Sequence, residues 1–140
     1  MVASDARRAA QTAAAFGEAL RCRVHADPEF GERDLGAWTG LSRCEIERGW
    51  PGWVDAWRRR QLADPPGGET DQQVAARVAR ALRRHDQPDR VQVVVAHGGL
   101  LRGVLAAGGM DHADVPPLSG RWLALSPGRG RIVVGPPASL

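Results

Sequence analysis

VQVVVAHGG, residues 91–99, is the stretch that decides how the rest of the chain is read. Residues 91–96 are short, apolar and rich in Val, the composition of a strand buried on both faces of a sheet. His97, Gly98 and Gly99 then turn the chain into an apolar helix over residues 100–107. A strand, a tight glycine turn and a helix put His97 at the strand's carboxyl end, where open α/β sheets bind ligands.

Working back from that point, VASDARRAAQTA at residues 2–13 reads as a strand tail, a turn and an arginine-bearing helix. The helix is predicted over residues 4–20, because Ala9, Ala13, Phe16 and Leu20 recur at helical spacing and Ser4 or Asp5 can cap its first amides. A short strand is expected at residues 22–24. Residues 25–40 form a loop punctuated by Pro28, Gly31, Gly36 and Gly40, and loops of that length in compact domains are usually functional. Ser42 and Glu45 have capping-box spacing, Leu41 and Ile46 occupy the staple positions, and Gly49 and Pro51 end the helix they start. A further short helix carries Trp53, Val54 and Trp57, before the breaker run Asp64, Pro65, Pro66, Gly67, Gly68. Thr70 and Gln73 form a second capping box, and Val74, Val78 and Leu82 the buried stripe of a helix ending near His85. Residues 121–126 and 131–135 are expected to close the chain as a hairpin around Pro127, Gly128, Arg129 and Gly130. With no internal repeat and no linker, residues 1–140 read as a single domain.

Composition excludes several classes of function. A chain of 140 residues with 43% hydrophobic and 25% charged residues is an ordinary folded domain with one core. The longest strongly apolar stretch is a strand's length rather than a membrane span, and no leader pattern opens the sequence. A cytoplasmic location and no membrane partner are therefore expected. Cys22 and Cys44 are too few and too unpatterned for a disulfide framework or a metal site and read as free thiols. The pI near 10.0 raises the question of nucleic acid. The net charge is only +3, however, and every basic residue apart from histidine is Arg. Arg58, Arg59 and Arg60, and Arg77, Arg80, Arg83 and Arg84, fall on predicted helices as solvated faces, so no nucleic-acid partner is expected.

Three separated residues share a chemical character: Arg8 in the first turn of a helix, Glu32 in a glycine-rich loop, His97 at a strand tip. Singly, each has a plain structural reading as a surface charge, a loop ion pair or a strand-end cap. Together with their flanks, ASDARRAAQTA (3–13), FGERDLGAWTGL (30–41), PPGGET (65–70) and VVVAHGG (93–99), they resemble successive motifs of the histidine phosphatase superfamily, the phosphoglycerate mutase-like branch. The resemblance spans residues 2–107. It implies an α/β three-layer sandwich with a mostly parallel sheet flanked by helices. In that family a histidine attacks phosphorus, arginines and a second histidine hold the phosphoryl oxygens, and a carboxylic acid protonates the leaving oxygen. By resemblance Arg8, His97 and the Gly98 amide would bind phosphate, and Glu32 and His97 would be the catalytic pair, with Glu32 as general acid and then base. No metal and no cofactor are implied, and the partner would be a small phosphorylated substrate. A homo-oligomer is left open.

The sequence also departs from the family pattern. The family's nucleophile lies in an Arg-His-Gly segment after an N-terminal strand, and no Arg-His-Gly occurs in these 140 residues. The other histidines, His25, His85 and His112, are expected in a loop, at a helix end and in a Pro-rich loop, none of them a replacement. The expectation is thus a chain truncated at its N-terminus, without the central strand and one phosphate-clamping arginine, inactive as given and poorly stable alone. Met1, Val2 and Ala3 would be the tail of the strand that precedes the Arg8 helix. The alternatives are a non-catalytic phosphate-binding pseudo-phosphatase, a phosphoglycerate mutase and a nucleic-acid-binding protein. Mutases of the family carry an insertion before the Gly-Glu-Ser/Thr motif, whereas Pro66 here runs straight into Gly67, Gly68, Glu69 and Thr70, which favours a phosphatase. Trp50, Trp53 and Trp57 could stack on a substrate or pack two short helices, Trp38 reads as structural, and Glu69 either contacts the phosphate network or favours a helix start.

Overall fold

The computed structural model describes residues 1–59, 61–62, 64–87, 90–110, 115–125 and 132–138. They fall into two compact units, one made of Met1–Glu32 with Asp71–Leu140 and the other of Arg33–Thr70.

The larger unit is built on a parallel sheet. Strand β1 (Val2–Ala3) lies between β2 (His25–Ala26) and β3 (Val94–Val95), with Val2 opposite His25 and Val94 and with Ala3 opposite Ala26 and Val95. Helix α1 (Arg7–Ala19) follows β1, α4 (Asp71–His85) precedes β3, and α5 (Gly98–Ala107) follows it. Successive strand residues face opposite sides. Val2 joins Phe30, Val74, Val78, Ala81, Leu100 and Val104 in one core, while α1 packs on β1 and β3 and buries Ala9 and Ala13. The approach of α5 to α4 depends on Gly103, where a Cβ would lie 3.0 Å from Val74 Cγ1.

The structure shortens and shifts several expected elements. The strand expected at residues 22–24 is instead the return from α1. The Cys22 amide donates to Gly17 O at 2.9 Å, and a Cβ on Gly17 would meet Val24 Cγ2 at 2.7 Å, so this segment is folded onto the helix end and pairing begins only at His25. The expected loop 25–40 accordingly contains β2 and two 3-10 turns, Pro28–Phe30 and Gly36–Trp38. Strand β3 pairs over two residues rather than six, since its partner β1 is two residues long. Val91 is 72% exposed and Val93 41%, so the stretch is not covered on both faces. Helix α5 begins at Gly98, so the glycines form its first turn.

Strands β4 (Gly120–Leu125) and β5 (Ile132–Ala138) pair antiparallel as a separate two-stranded sheet, and Leu123, Ile132 and Val134 pack on the core beside Val94 and Ala96. The hairpin turn expected at 127–130, Ser126, Arg131, Arg60 and His112 lie outside the described residues. Among the described residues β3 thus has a strand neighbour on one side only, as does β4.

The Arg33–Thr70 unit holds α2 (Arg43–Gly49) and α3 (Trp53–Arg58). The capping box is complete: Ser42 Oγ accepts the Glu45 amide at 3.3 Å, and Glu45 Oε2 accepts the Ser42 amide at 2.8 Å. Trp38, Ile46 and Val54 form the core, with Trp50 and Trp57 edge-on to Trp38 at centroid distances of 6.3 and 5.7 Å. No helix among the described residues is long and apolar enough to cross a membrane.

Candidate functional site

Parallel pairing brings the carboxyl ends of β1 and β3 side by side. The Ser4 amide donates to Val95 O at 2.9 Å, and two residues beyond Val95 the imidazole of His97 sits next to Ser4, with Nε2 2.8 Å from Ser4 Oγ. His97 is 8% exposed and Ser4 is fully buried. His97 is the N-cap of α5 and its side chain does not cap the helix. Glu32 takes that place: its Oε1 accepts the Leu100 amide at 2.9 Å, and a Cβ on Gly99 would lie 2.5 Å from the same oxygen. The glycine is therefore what admits a carboxylate to the positive end of the helix. Gly98 lies in the same turn, under the guanidinium of Arg102, whose Nη2 is 3.3 Å from where a Gly98 Cβ would be.

Arg8 stands exposed in the first turn of α1, and among the described residues no hydrogen bond or ion pair holds its guanidinium. Its charge reaches His97. Burial does most to hold the imidazole below its ordinary pKa; Arg8 and Arg77 add to that effect, and Glu32 and Asp5 oppose it. A buried imidazole and a carboxylate thus lie together at the amino end of α5, with Gly98 in the same turn and the charge of Arg8 acting on the imidazole.

Two residues near the site carry roles the sequence did not announce. Ser4, read as a helix cap, does not cap α1, which begins at Arg7 with Ala6 at its N-cap and no side-chain cap; its hydroxyl accepts the Ala6 amide at 3.2 Å and meets His97. Arg77, read as part of a solvated face, donates from Nη1 to Glu29 O at 2.7 Å and Gly31 O at 3.2 Å, the carbonyls just before Glu32. Its neighbours are likewise committed: Arg80 bonds Glu29 Oε1 at 3.0 Å, and Arg84 pairs with Glu29. Only Arg77 departs from the solvated reading of that helix face: Arg80, Arg83 and Arg84 are exposed, as expected, while Arg80 and Arg84 also pair with Glu29. His85, at the end of α4, bonds Asp27 Oδ2 through Nε2 at 2.8 Å, and His25 lies in β2 rather than in a loop. Glu69 Oε2 accepts the Asp34 amide at 3.0 Å. Cys22 and Cys44 are free and exposed. Among the described residues no group of three or more His, Cys, Asp or Glu side chains is placed to hold a metal ion.

The chain belongs to the histidine phosphatase superfamily: the sequence profile of its branch 1 matches residues 1–131. Among relatives, the glucosyl-3-phosphoglycerate phosphatase of Mycobacterium tuberculosis (strain ATCC 25618 / H37Rv) is 38% identical over 144 residues, which cover 87% of this chain and 65% of that protein. The 2,3-bisphosphoglycerate-dependent phosphoglycerate mutase of Methylobacterium radiotolerans is 41% identical over 96 residues, covering 64% of this chain and 45% of that one. Among solved structures, mycobacterial glucosyl-3-phosphoglycerate phosphatase in complex with inorganic phosphate aligns with a TM-score of 0.73 at 33% identity, over 96% of this chain and 73% of that one. This chain therefore spans just under two thirds of the length of the first of these relatives.

Proposed function

We propose that these residues form the phosphate-binding and proton-transfer part of a phosphomonoester hydrolase that works through a phosphohistidine. The observation that carries the reading is at the amino end of α5, where Glu32 bonds the Leu100 amide and His97 holds the cap position; the charge of Arg8, acting on His97, supports it. A tetrahedral dianion there would meet a planar, permanently charged fork from Arg8, an imidazole hydrogen from His97 and the backbone hydrogen of Gly98. Such donors favour the trigonal phosphoryl group of the transition state, whose oxygens carry the transferred charge. Glu32 would deliver a proton to the leaving oxygen and then take one from the water that cleaves the phosphoenzyme.

Hydrolysis is favoured over mutase chemistry by the way the Pro-Pro-Gly-Gly segment is held within its own unit. The Ala37 amide donates to Pro66 O at 2.9 Å, the Glu69 amide to Asp34 O at 2.9 Å, and a Cβ at Gly36 would overlap the backbone of Pro66, Gly67 and Gly68. The insertion that the family's mutases carry at this point has no counterpart between Pro66 and Thr70. The substrate class is a small phosphorylated metabolite, in keeping with the relatives named for glucosyl-3-phosphoglycerate.

No Arg-His-Gly is present in the sequence, and on this reading none of its histidines serves as the family's nucleophile. The chain as given should bind phosphate without turning over phosphomonoesters. Calorimetry with inorganic phosphate and with vanadate, alongside an aryl phosphate assay, tests both halves of the proposal. Binding weakened about 10-fold or more in Arg8→Ala, with no hydrolysis, is the expected result. Absence of any phosphate binding would sink the assignment of the site. Hydrolysis that disappears in His97→Ala would sink the claim that the chain lacks its nucleophile.

A further inference from the structure

Ser4 is a buried hydroxyl in the loop between β1 and α1, and its hydrogen needs an acceptor. A serine hydroxyl has one hydrogen to give and two lone pairs to receive. One lone pair is taken by the Ala6 amide at 3.2 Å. Among the described residues the only other polar atom bonded to Oγ is His97 Nε2, at 2.8 Å. If Nε2 carried a hydrogen and donated it to Oγ, the serine would receive two hydrogens and its own, buried from water, would have no acceptor among the described residues. The arrangement closes only when Ser4 donates and Nε2 accepts.

We infer that Ser4 is a positioning residue that donates its hydroxyl hydrogen to His97 Nε2, fixing the ring and holding the imidazole as the Nδ1–H tautomer. Nδ1–H is then the hydrogen that His97 presents to a phosphoryl oxygen, a clause that rests on the phosphate-site reading above. The same oxygen holds the Ala6 amide one residue before α1 begins, so a single buried hydroxyl ties the imidazole to the start of the helix that carries Arg8. The groups whose charges bear on the ring, Glu32 and Asp5 on one side of the balance and Arg8 and Arg77 on the other, act on its protonation, while the tautomer of the neutral ring is set by this contact.

The test is imidazole 15N NMR on the phosphate-free chain at pH 8, followed by phosphate titration. In the wild type, Nε2 should resonate as an unprotonated nitrogen and Nδ1 as a protonated one. Ser4→Ala should let the two tautomers exchange and weaken phosphate binding about 10-fold, and Ser4→Thr, which keeps the hydroxyl, should restore the wild-type tautomer. A protonated Nε2 in the wild type overturns the inference whether or not the variants fold, and so does a tautomer that Ser4→Ala leaves unmoved. Failure of the wild type to bind phosphate would instead defeat the phosphate-site reading, because the tautomer is read without phosphate.

Discussion

Glu32 Oε1 accepts the backbone amide of Leu100 at 2.9 Å, so a helix start is capped by a carboxylate 68 positions earlier in the chain. First-turn amides of a helix have no partner inside it, and His97, at the cap position, leaves them to Glu32. Gly99→Ala probes that arrangement with little harm to the fold. The added methyl would sit 2.5 Å from Oε1, the far end of a flexible side chain, while alanine suits a helix better than glycine. The melting temperature should stay within about 4 °C of wild type. The Leu100 amide should shift and exchange faster as the carboxylate moves away. An unmoved Leu100 amide would mean that Glu32 can bond around the methyl.

His97 gives the site a signature in pH. Burial is the main cause holding its imidazole below the ordinary value, so the unfolded chain takes up a proton near pH 6.5 before the folded chain does. The unfolded state then binds more protons in that window, and its contribution makes stability rise with pH up to about 6.5 and level off above. Urea unfolding between pH 5 and 8 should show that slope, and His97→Gln should flatten it. Glu32→Gln removes the leading charge that raises the imidazole and should move its titration further down. An upward move in Glu32→Gln would contradict the placement of that carboxylate beside the ring.

A second pair steadies the approach to Glu32. Asp27 is almost fully buried, its Oδ1 accepting the Glu29 amide at 2.9 Å and its Oδ2 facing His85 Nε2 at 2.8 Å. Burial works to raise the carboxyl, but the Glu29 amide, His85 and Arg84 together outweigh it and hold Asp27 below its ordinary value. A depressed carboxyl contributes stability that is present above about pH 3.9 and is lost as pH falls through the lower folded value. Asp27→Asn should cost about 1–3 kcal/mol near neutrality. In a double-mutant cycle with His85→Gln the two losses should fall short of additive, and full additivity would deny the contact any energetic weight.

What could be read in the sequence was local. Ser42 and Glu45 lie three residues apart and answer only to each other, so their capping box was plain; VVVAHGG likewise placed His97 before a helix. The contact of Ser4 with His97 depends on Val2 lying opposite Val94, a pairing across 92 positions that no spacing encodes. Arg77 was misread for a related reason. A polar stripe along α4 looks the same whether it faces water or the carbonyls of Glu29 and Gly31, and only tertiary packing separates the two. Residues 22–24 had a strand's composition, but the close contact of Val24 with Gly17 folds them back onto the end of α1 with no strand pairing. The grouping of Arg8, Glu32 and His97 rests on the family resemblance, since nothing in any one segment points to the others.

Two glycines in the Arg33–Thr70 unit separate backbone strain from close approach. Gly36 has φ +54° and Gly40 has φ +82°, so an L side chain is disfavoured at both. At Gly40 nothing lies within 4 Å of an added Cβ, whereas at Gly36 it would overlap the backbone atoms of Pro66, Gly67 and Gly68. Gly40→Ala should therefore cost only the conformational penalty, about 1–2 kcal/mol. Gly36→Ala must also push a backbone segment aside, breaking the Ala37 amide's bond to Pro66 O, and should cost at least about 2 kcal/mol more. Tryptophan fluorescence reports mainly on this unit, since four of the five tryptophans, Trp38, Trp50, Trp53 and Trp57, belong to it and Trp38 is 2% exposed, while Trp122 in the other unit is 53% exposed. Denaturation followed by that signal should rank wild type above Gly40→Ala and Gly40→Ala well above Gly36→Ala. Equal losses in the two variants would mean that the Pro66–Gly68 segment yields without cost and is not tightly held against Gly36.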